Sequence, residues 1–323
     1  MMNRYARQMM LPEVGPRGQN HLAKARVLVV GAGGLGCPVL QYLTGSGVGQ
    51  ITLIDPDHVA NHNLHRQPLY RMSDIGRPKV EAAHDAMLAL NPDIDIQIHI
   101  TDLGPKNAAH FIETADLVID SADSFAVSYI LSDACLSSKT PFITASILGQ
   151  SGYIGGFCGP APSLRAVFPD PPHSDATCAS SGVLGPAVGV LGALQAQLAL
   201  RVLLDCAPSP LGQMLSVDLA TLHFGGFNFT DSPEPDYAFP YLSKCMVQTG
   251  DLVIELRDTS EAPQMLIPIA TRMSIENAST LPTHEHQRVV LCCSSGLRAW
   301  RVATNLHARG HRNIALIAAR ACQ

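Results

Sequence analysis

Charge is scarce in this chain. Asp, Glu, Lys and Arg together make up 15% of the 323 residues, against 46% apolar residues. That balance excludes broad disorder. The formal net charge is -5, and no basic stripe interrupts the sequence, so nucleic acid is not expected as a partner. Aromatic residues are few, at 5%, with a single tryptophan. The nine cysteines are Cys37, Cys135, Cys158, Cys178, Cys206, Cys245, Cys292, Cys293 and Cys322, and no two form a C-x-x-C pair. A zinc site built from two such knuckles is therefore excluded. The N-terminus, MMNRYARQMM, carries arginines and no apolar core, so it does not read as a secretory signal. A cytoplasmic address and reduced thiols are expected, not a disulfide framework. One stretch, 182–204, has roughly the ~20 apolar residues of a membrane span. It contains Gln195, Gln197 and Arg201, and its first half is rich in glycine and proline. A buried core helix is expected there, with no membrane.

What is present is organised around residues 25–57. Val27–Val30 reads as a strand, and Ile51–Ile54 as a second one ending in Asp55. Between them Gly31, Gly33 and Gly36 match G-x-G-x-x-G, with Gly34 inside the turn. The first glycine permits a tight turn, the second lets backbone approach phosphate, and the third lets helix pack on strand. The following helix start offers unpaired N–H groups to an anion, and Asp55 stands where an acid accepts ribose hydroxyls. The stretch points to an adenine nucleotide.

Asn63, Arg66 and Gln67 follow in a loop without hydrophobic period, and Gly76-Arg77-Pro78-Lys79 opens a helix with Pro78 at its first turn. Ile94, Ile96, Ile98 and Ile100 alternate as a strand. A short helix over 106–114 leads to the apolar strand 117–120 and then Ser121-Ala122-Asp123-Ser124. A helix over 125–138 and a strand over 141–146 complete a doubly wound, mostly parallel α/β pattern. Right-handed crossovers then bring Gly31–Gly36, Asp55 and Asp123 to one edge of the sheet. Arg4 and Arg7, before the first strand, read by themselves as part of a solvated helix.

The stretch 159–180, which carries Cys178, lacks periodicity and reads as a functional loop. Residues 214–229 alternate as two strands. Asp231-Ser232-Pro233-Glu234-Pro235-Asp236 is the clearest linker. The chain thus divides into 1–230, a linker 231–243 and a small α/β unit over 244–323. In that unit an apolar strand runs into Cys292-Cys293-Ser294-Ser295-Gly296-Leu297-Arg298. A cysteine in such a loop is expected to have its pKa lowered by N–H groups and by Arg298, as suits a thiolate nucleophile.

The glycine motif alone favours an NAD-dependent oxidoreductase. Arg66 and Lys79 close behind it, with Asp123 available for a metal, favour a triphosphate with Mg²⁺ instead. In combination, Arg-Tyr-Ala-Arg-Gln (4–8), Gly-Ala-Gly-Gly-Leu-Gly (31–36), Asn-Leu-His-Arg-Gln (63–67), Gly-Arg-Pro-Lys (76–79), Asp-Ser-Ala-Asp (120–123) and Cys178 followed by Gly-Val-Leu-Gly (182–185) closely resemble the ThiF/MoeB/HesA family, bacterial relatives of ubiquitin-activating enzymes. The resemblance covers about Arg4 to Phe229.

The resemblance implies a homodimer that adenylates the C-terminal glycine of a small ubiquitin-like sulfur carrier, using ATP and Mg²⁺. It implies that Gly34 and its neighbours cradle phosphates, Asp55 holds the ribose, and Asn63, Arg66, Gln67 and Lys79 contact the nucleotide. It further implies that Asp123 binds Mg²⁺ beside Ser124, that Arg7 reaches the neighbouring subunit's phosphates, and that Cys178 traps or resolves an acyl intermediate. The family's zinc-binding pairs are replaced at 163–166 and near 231–239, so no structural zinc is expected. Ser124 and His65 replace the usual Asn and Gln. Residues 255–258 and 293–298 resemble a shortened rhodanese-like domain, which implies Cys293 as a persulfide carrier fed by a cysteine desulfurase or similar donor. The alternative for that segment is a docking module.

Overall fold

The computed structural model describes residues 4–171, 182–282 and 287–320. Cys178 lies outside them. The apolar strand segments read from the sequence form an eight-stranded sheet: β1 Arg26–Val30, β2 Gln50–Ile54, β3 Asp95–His99, β4 Leu117–Asp120, β5 Pro141–Leu148, β6 Ser151–Cys158, β7 Gln213–Asp218 and β8 His223–Asn228, in the order β3-β2-β1-β4-β5-β6-β7-β8. From β3 to β5 the strands are parallel, and from β5 to β8 antiparallel. Val30 is in register with both Ile54 and Asp120. The residues that follow, Gly31, Asp55 and Ser121, therefore leave the sheet at one level, as the crossover rule requires.

Helices cover both faces of this sheet: α1 Gly15–Leu22, α2 Gly36–Ser46, α3 Lys79–Leu90, α4 Ala108–Ile112, α5 Phe125–Ser138, α6 Leu164–Val167 and α7 Gly185–Leu203. The central strands are buried on both faces, which accounts for their unbroken apolar runs. The long apolar helix α7 differs from the expected core helix. Ala187, Val188, Leu191, Ala196 and Ala199 are buried, but only 39% of its apolar stretch is covered, and Val190 and the preceding Leu184 are exposed. Gln195 is fully buried within the fold.

The C-terminal part forms a four-stranded parallel sheet, β10-β9-β11-β12, from β9 Leu252–Glu255, β10 Thr271–Arg272, β11 Val289–Cys293 and β12 Ile314–Ala318, with α8 Ile275–Ser279 and α9 Leu297–Ala308. The linker is shorter than its sequence suggests. Leu316 N–H donates to Pro240 O at 2.9 Å, and Leu242 N–H donates to Leu316 O at 2.8 Å, so residues 240–242 line the edge of β12. One apolar core runs through both sheets, from Leu28 and Phe142 through Phe239 to Val290 and Leu316.

Trp300 on α9 makes the joint. Its ring is parallel to Tyr129 of α5 with centroids 6.0 Å apart, and meets Phe239 edge-on at 4.9 Å. The Arg165 guanidinium lies over both Tyr129 and Trp300, and the indole N–H donates to Asp170 at 3.0 Å. Arg165 is held by a two-pronged bond to Asp133, at 2.7 and 2.9 Å. Between the segments 163–166 and 231–239, the Ser163 N–H and Oγ–H both donate to the Glu234 carboxylate, at 2.7 and 2.5 Å. The two segments are thus joined directly, side chain to side chain and backbone.

Candidate nucleotide site

The glycine turn sits between β1 and α2. Gly31 has φ +98°, and a Cβ there would lie 2.6 Å from Ser121 O. A Cβ on Gly36 would lie 2.0 Å from Gly31 O, so the helix can begin this close to the strand only without one. Around Gly33 the space is open, with Gln67 Nε2 the sole atom within 4 Å of a built Cβ, at 3.8 Å. None of the N–H groups of Gly33, Gly34, Leu35 and Gly36 bonds to an acceptor among the described residues. Such a fan of free N–H groups at a helix start is an anion cradle.

Asp55 is buried just beyond β2. One oxygen accepts the Ala32 N–H at 2.7 Å and the other the Asp57 N–H at 2.8 Å. Burial raises its pKa, and nearby Lys79 and these two N–H groups oppose the rise. Each oxygen keeps a further lone pair for a hydroxyl. Lys79 opens α3 and is itself buried; its Nζ donates to Asp57 Oδ2 at 2.7 Å. Asp57 was not singled out in the sequence, yet it is this lysine's partner.

Asn63 and Gln67 are buried in the 61–70 loop. Asn63 Oδ1 accepts the Ala60 N–H at 3.1 Å. Gln67 Oε1 has no hydrogen-bond partner among the described residues despite its burial. An orphaned buried acceptor beside an open glycine turn fits a site completed by a ligand. Arg66 is half-buried, and its Nη1 lies 3.0 Å from His62 O and 2.9 Å from His65 Nε2. Close packing by α7 places this loop: a Cβ on Gly185 would lie 2.3 Å from His65 O, and one on Gly34 would lie 2.6 Å from Val188 Cγ1.

Beyond β4, Asp120 is fully buried and accepts from Ala122 N–H at 3.0 Å, Ser128 Oγ at 2.5 Å and Thr144 Oγ1 at 2.8 Å. Burial pushes its pKa up to about 6. Gln195 reaches from α7 to donate to Asp120 O at 2.7 Å. These bonds hold the turn that presents Asp123, which is exposed, and Ser124, which precedes α5. A single open carboxylate beside a phosphate cradle suits Mg²⁺, which binds through one or two carboxylates plus substrate phosphates. No cluster of three or more His, Cys, Asp or Glu that could hold a metal ion occurs among the described residues.

Gly31–Gly36, Asp55, Asn63, Gln67, Lys79, Arg66, Asp123 and Ser124 thus share one edge of the sheet. Arg7 does not join them within the chain. Its segment docks at the far end of α2, where Gln8 donates to Ser46 O at 2.9 Å and Arg4 to Leu90 O at 2.6 Å. Arg7 itself is exposed there.

Cys293 departs from expectation. It is the last residue of β11, not a loop residue, and it is fully buried. Burial raises its pKa, and the Ala299 and Gly296 N–H groups and Arg298 lower it without reversing the rise. The loop's N–H groups are indeed there, at 3.1 Å from Gly296 and 3.4 Å from Ala299. What the sequence hid is the loss of water and the capture of Arg298 by Glu261, at 2.7 Å.

A model described as the ThiF family matches residues 5–238. The chain belongs to the ThiF family. Among ThiF-type relatives, it is 40% identical over 231 residues to a sulfur carrier protein adenylyltransferase of Thermus thermophilus, covering 69% of this chain and 85% of that protein. It is 40% identical over 218 residues to an adenylyltransferase and sulfurtransferase MOCS3 of Drosophila ananassae, covering 67% of this chain and 48% of that protein. The chain thus spans about half the length of the MOCS3 relatives it matches. Among solved structures, E. coli MccB shares the Rossmann-like ThiF architecture with a TM-score of 0.64 and 25% identity, over 72% of this chain and 71% of that one.

Proposed function

We propose that this chain uses ATP to adenylate the C-terminal glycine carboxylate of a small ubiquitin-like sulfur carrier ending in Gly-Gly. The observation that carries the reading is the fan of free N–H groups from Gly33 to Gly36, placed beside Lys79, Arg66 and Asp123. The names of the ThiF relatives agree with it.

A carboxylate resists nucleophiles because of its charge. Attack by its oxygen on the α-phosphorus of ATP forms an acyl-phosphate bond, breaks the α–β bridge and releases pyrophosphate. The carboxylate is already ionised, so no general base is required. The protein's part is positioning and charge stabilisation. The turn's N–H groups, Arg66 and Lys79 hold the phosphates, Asp55 accepts ribose hydroxyls, and Asn63 and Gln67 line the nucleotide. Asp123 would hold a Mg²⁺ ion, which would supply charge neutralisation at the pyrophosphate. A second copy is expected to complete the assembly, covering Leu184 and Val190 of the α7 region and supplying Arg7 to its neighbour.

ATP–pyrophosphate exchange tests this reading. Carrier-dependent exchange is expected, and Arg66→Ala is expected to abolish it. Absence of exchange with every Gly-Gly-ended carrier, or full exchange by Arg66→Ala, overturns it.

For sulfur transfer, Cys293 loaded by a persulfide donor attacks the acyl carbon and AMP leaves. A thiol, Cys178 in this scheme, then attacks the Cys293 sulfur of the acyl disulfide. The thiocarboxylate leaves with the electron pair, and a Cys178–Cys293 disulfide forms, to be reduced by an external thiol. Burial of Cys293 favours a second reading, in which the C-terminal unit is a docking module. Thiocarboxylate formation by Cys293→Ser separates the two: loss supports the transfer role, and an undiminished rate supports docking.

A further inference from the structure

A glycine turn grips phosphate only when its peptide N–H groups face the ligand. In a trans peptide the C=O and N–H point in opposite directions. Whatever holds the Ala32 carbonyl therefore also aims the Gly33 N–H. That carbonyl accepts the Tyr70 hydroxyl at 2.6 Å from the protein interior. On its other side Ala32 gives its N–H to Asp55. The Gly33 N–H, on the opposite side of the same peptide, meets no acceptor among the described residues.

We propose that Tyr70 is a positioning residue for the nucleotide: its hydroxyl bond to the Ala32 carbonyl aims the Gly33 N–H at a phosphate and ties the 61–70 loop to the glycine turn. The inference rests on the reading of this turn as an ATP cradle. Tyr70 is 4% exposed, so water does not compete for its hydroxyl. Burial also raises its pKa, which keeps the group a donor. Among the described residues the only other donor at the Ala32 carbonyl is the Cys37 thiol, at the long distance of 3.8 Å. Tyr70 closes the loop that carries Asn63, Arg66 and Gln67, and its own N–H donates to Gln67 O at 3.2 Å. Cations and N–H cradle are therefore held as one unit.

Tyr70→Phe keeps the ring and removes only the hydroxyl. The full chain and this variant are compared in direct binding of ATP and of adenosine, with melting temperature followed alongside. The expected result is a roughly five- to tenfold loss of ATP affinity, the size of one hydrogen bond, with adenosine affinity unchanged. ATP affinity equal to the wild type overturns the proposal. An equal loss for ATP and adenosine overturns it too, because a general disturbance would act on both. If wild-type protein binds adenosine but no ATP, the cradle reading itself falls and takes this inference with it.

Discussion

Two turns in this molecule are built alike and used differently. Each follows a buried parallel strand, passes through a glycine at positive φ (Gly31 at +98°, Gly296 at +92°) and opens a helix. In the first, the N–H groups of Gly33 to Gly36 meet no acceptor among the described residues. In the second, Gly296 and Ala299 give theirs to the Cys293 sulfur. A strand–turn–helix junction thus creates an anion hole in both places, and in one of them the protein's own thiol fills it. Water decides the consequence: the open turn can exchange solvent for phosphate, whereas at the filled one burial raises the pKa of the thiol by more than the turn's N–H groups lower it.

The strongest way to break this comparison is to close the open turn. Gly36→Ala places a methyl group within 2.0 Å of Gly31 O. Pyrophosphate exchange is expected to fall at least about a hundredfold, equivalent to about 2.7 kcal/mol of transition-state stabilisation. Gly33→Ala meets only open space, so its melting temperature should stay within a degree or two of the wild type while ATP affinity falls; calorimetry and binding separate the two variants.

The joint between the two regions is read in stability instead of activity. Trp300→Ala removes a buried ring and the bond to Asp170. It is expected to cost about 3–5 kcal/mol in chemical denaturation. A smaller change would show that the sheets hold together without it.

The filled turn is probed by thiol labelling with peptide mapping. Cys245 is exposed and Cys293 buried, so Cys293 is expected to react at least about tenfold more slowly. Its rate should keep climbing above pH 9, because its pKa lies above the ordinary 9.0. Equal labelling at pH 7 would place the thiol in water.

The last test concerns Asp120, the buried acid beneath the open turn. Its folded pKa of about 6 exceeds the ordinary 3.8, so the folded state binds the proton more tightly. Its contribution to stability therefore falls as pH rises from about 4 to about 6. Asp120→Asn is expected to remove that segment of the stability–pH curve, measured by denaturant titration at several pH values.

Much of the site was legible because it obeys local rules. Gly31, Gly33 and Gly36 announce themselves by spacing, and Asp55 and Asp123 by following apolar strands. Tyr70, Asp57 and Glu234 were not legible. Each acts on a partner distant in sequence: Ala32, Lys79 and Ser163 respectively. Gln195 left a trace, as one of two amides within an apolar helix, but nothing nearby identified Asp120 O as its partner.

The sequence by itself determined the doubly wound sheet, the phosphate-type turn and the family, because strand periodicity and glycine geometry depend on neighbours along the chain. Only the tertiary structure decided that Cys293 is buried with a raised pKa, that α7 keeps an uncovered face, and that Arg7 lies away from the glycine turn. Burial and pairing arise from segments far apart in sequence, and these set the environment of a thiol or a cation more strongly than its immediate neighbours do.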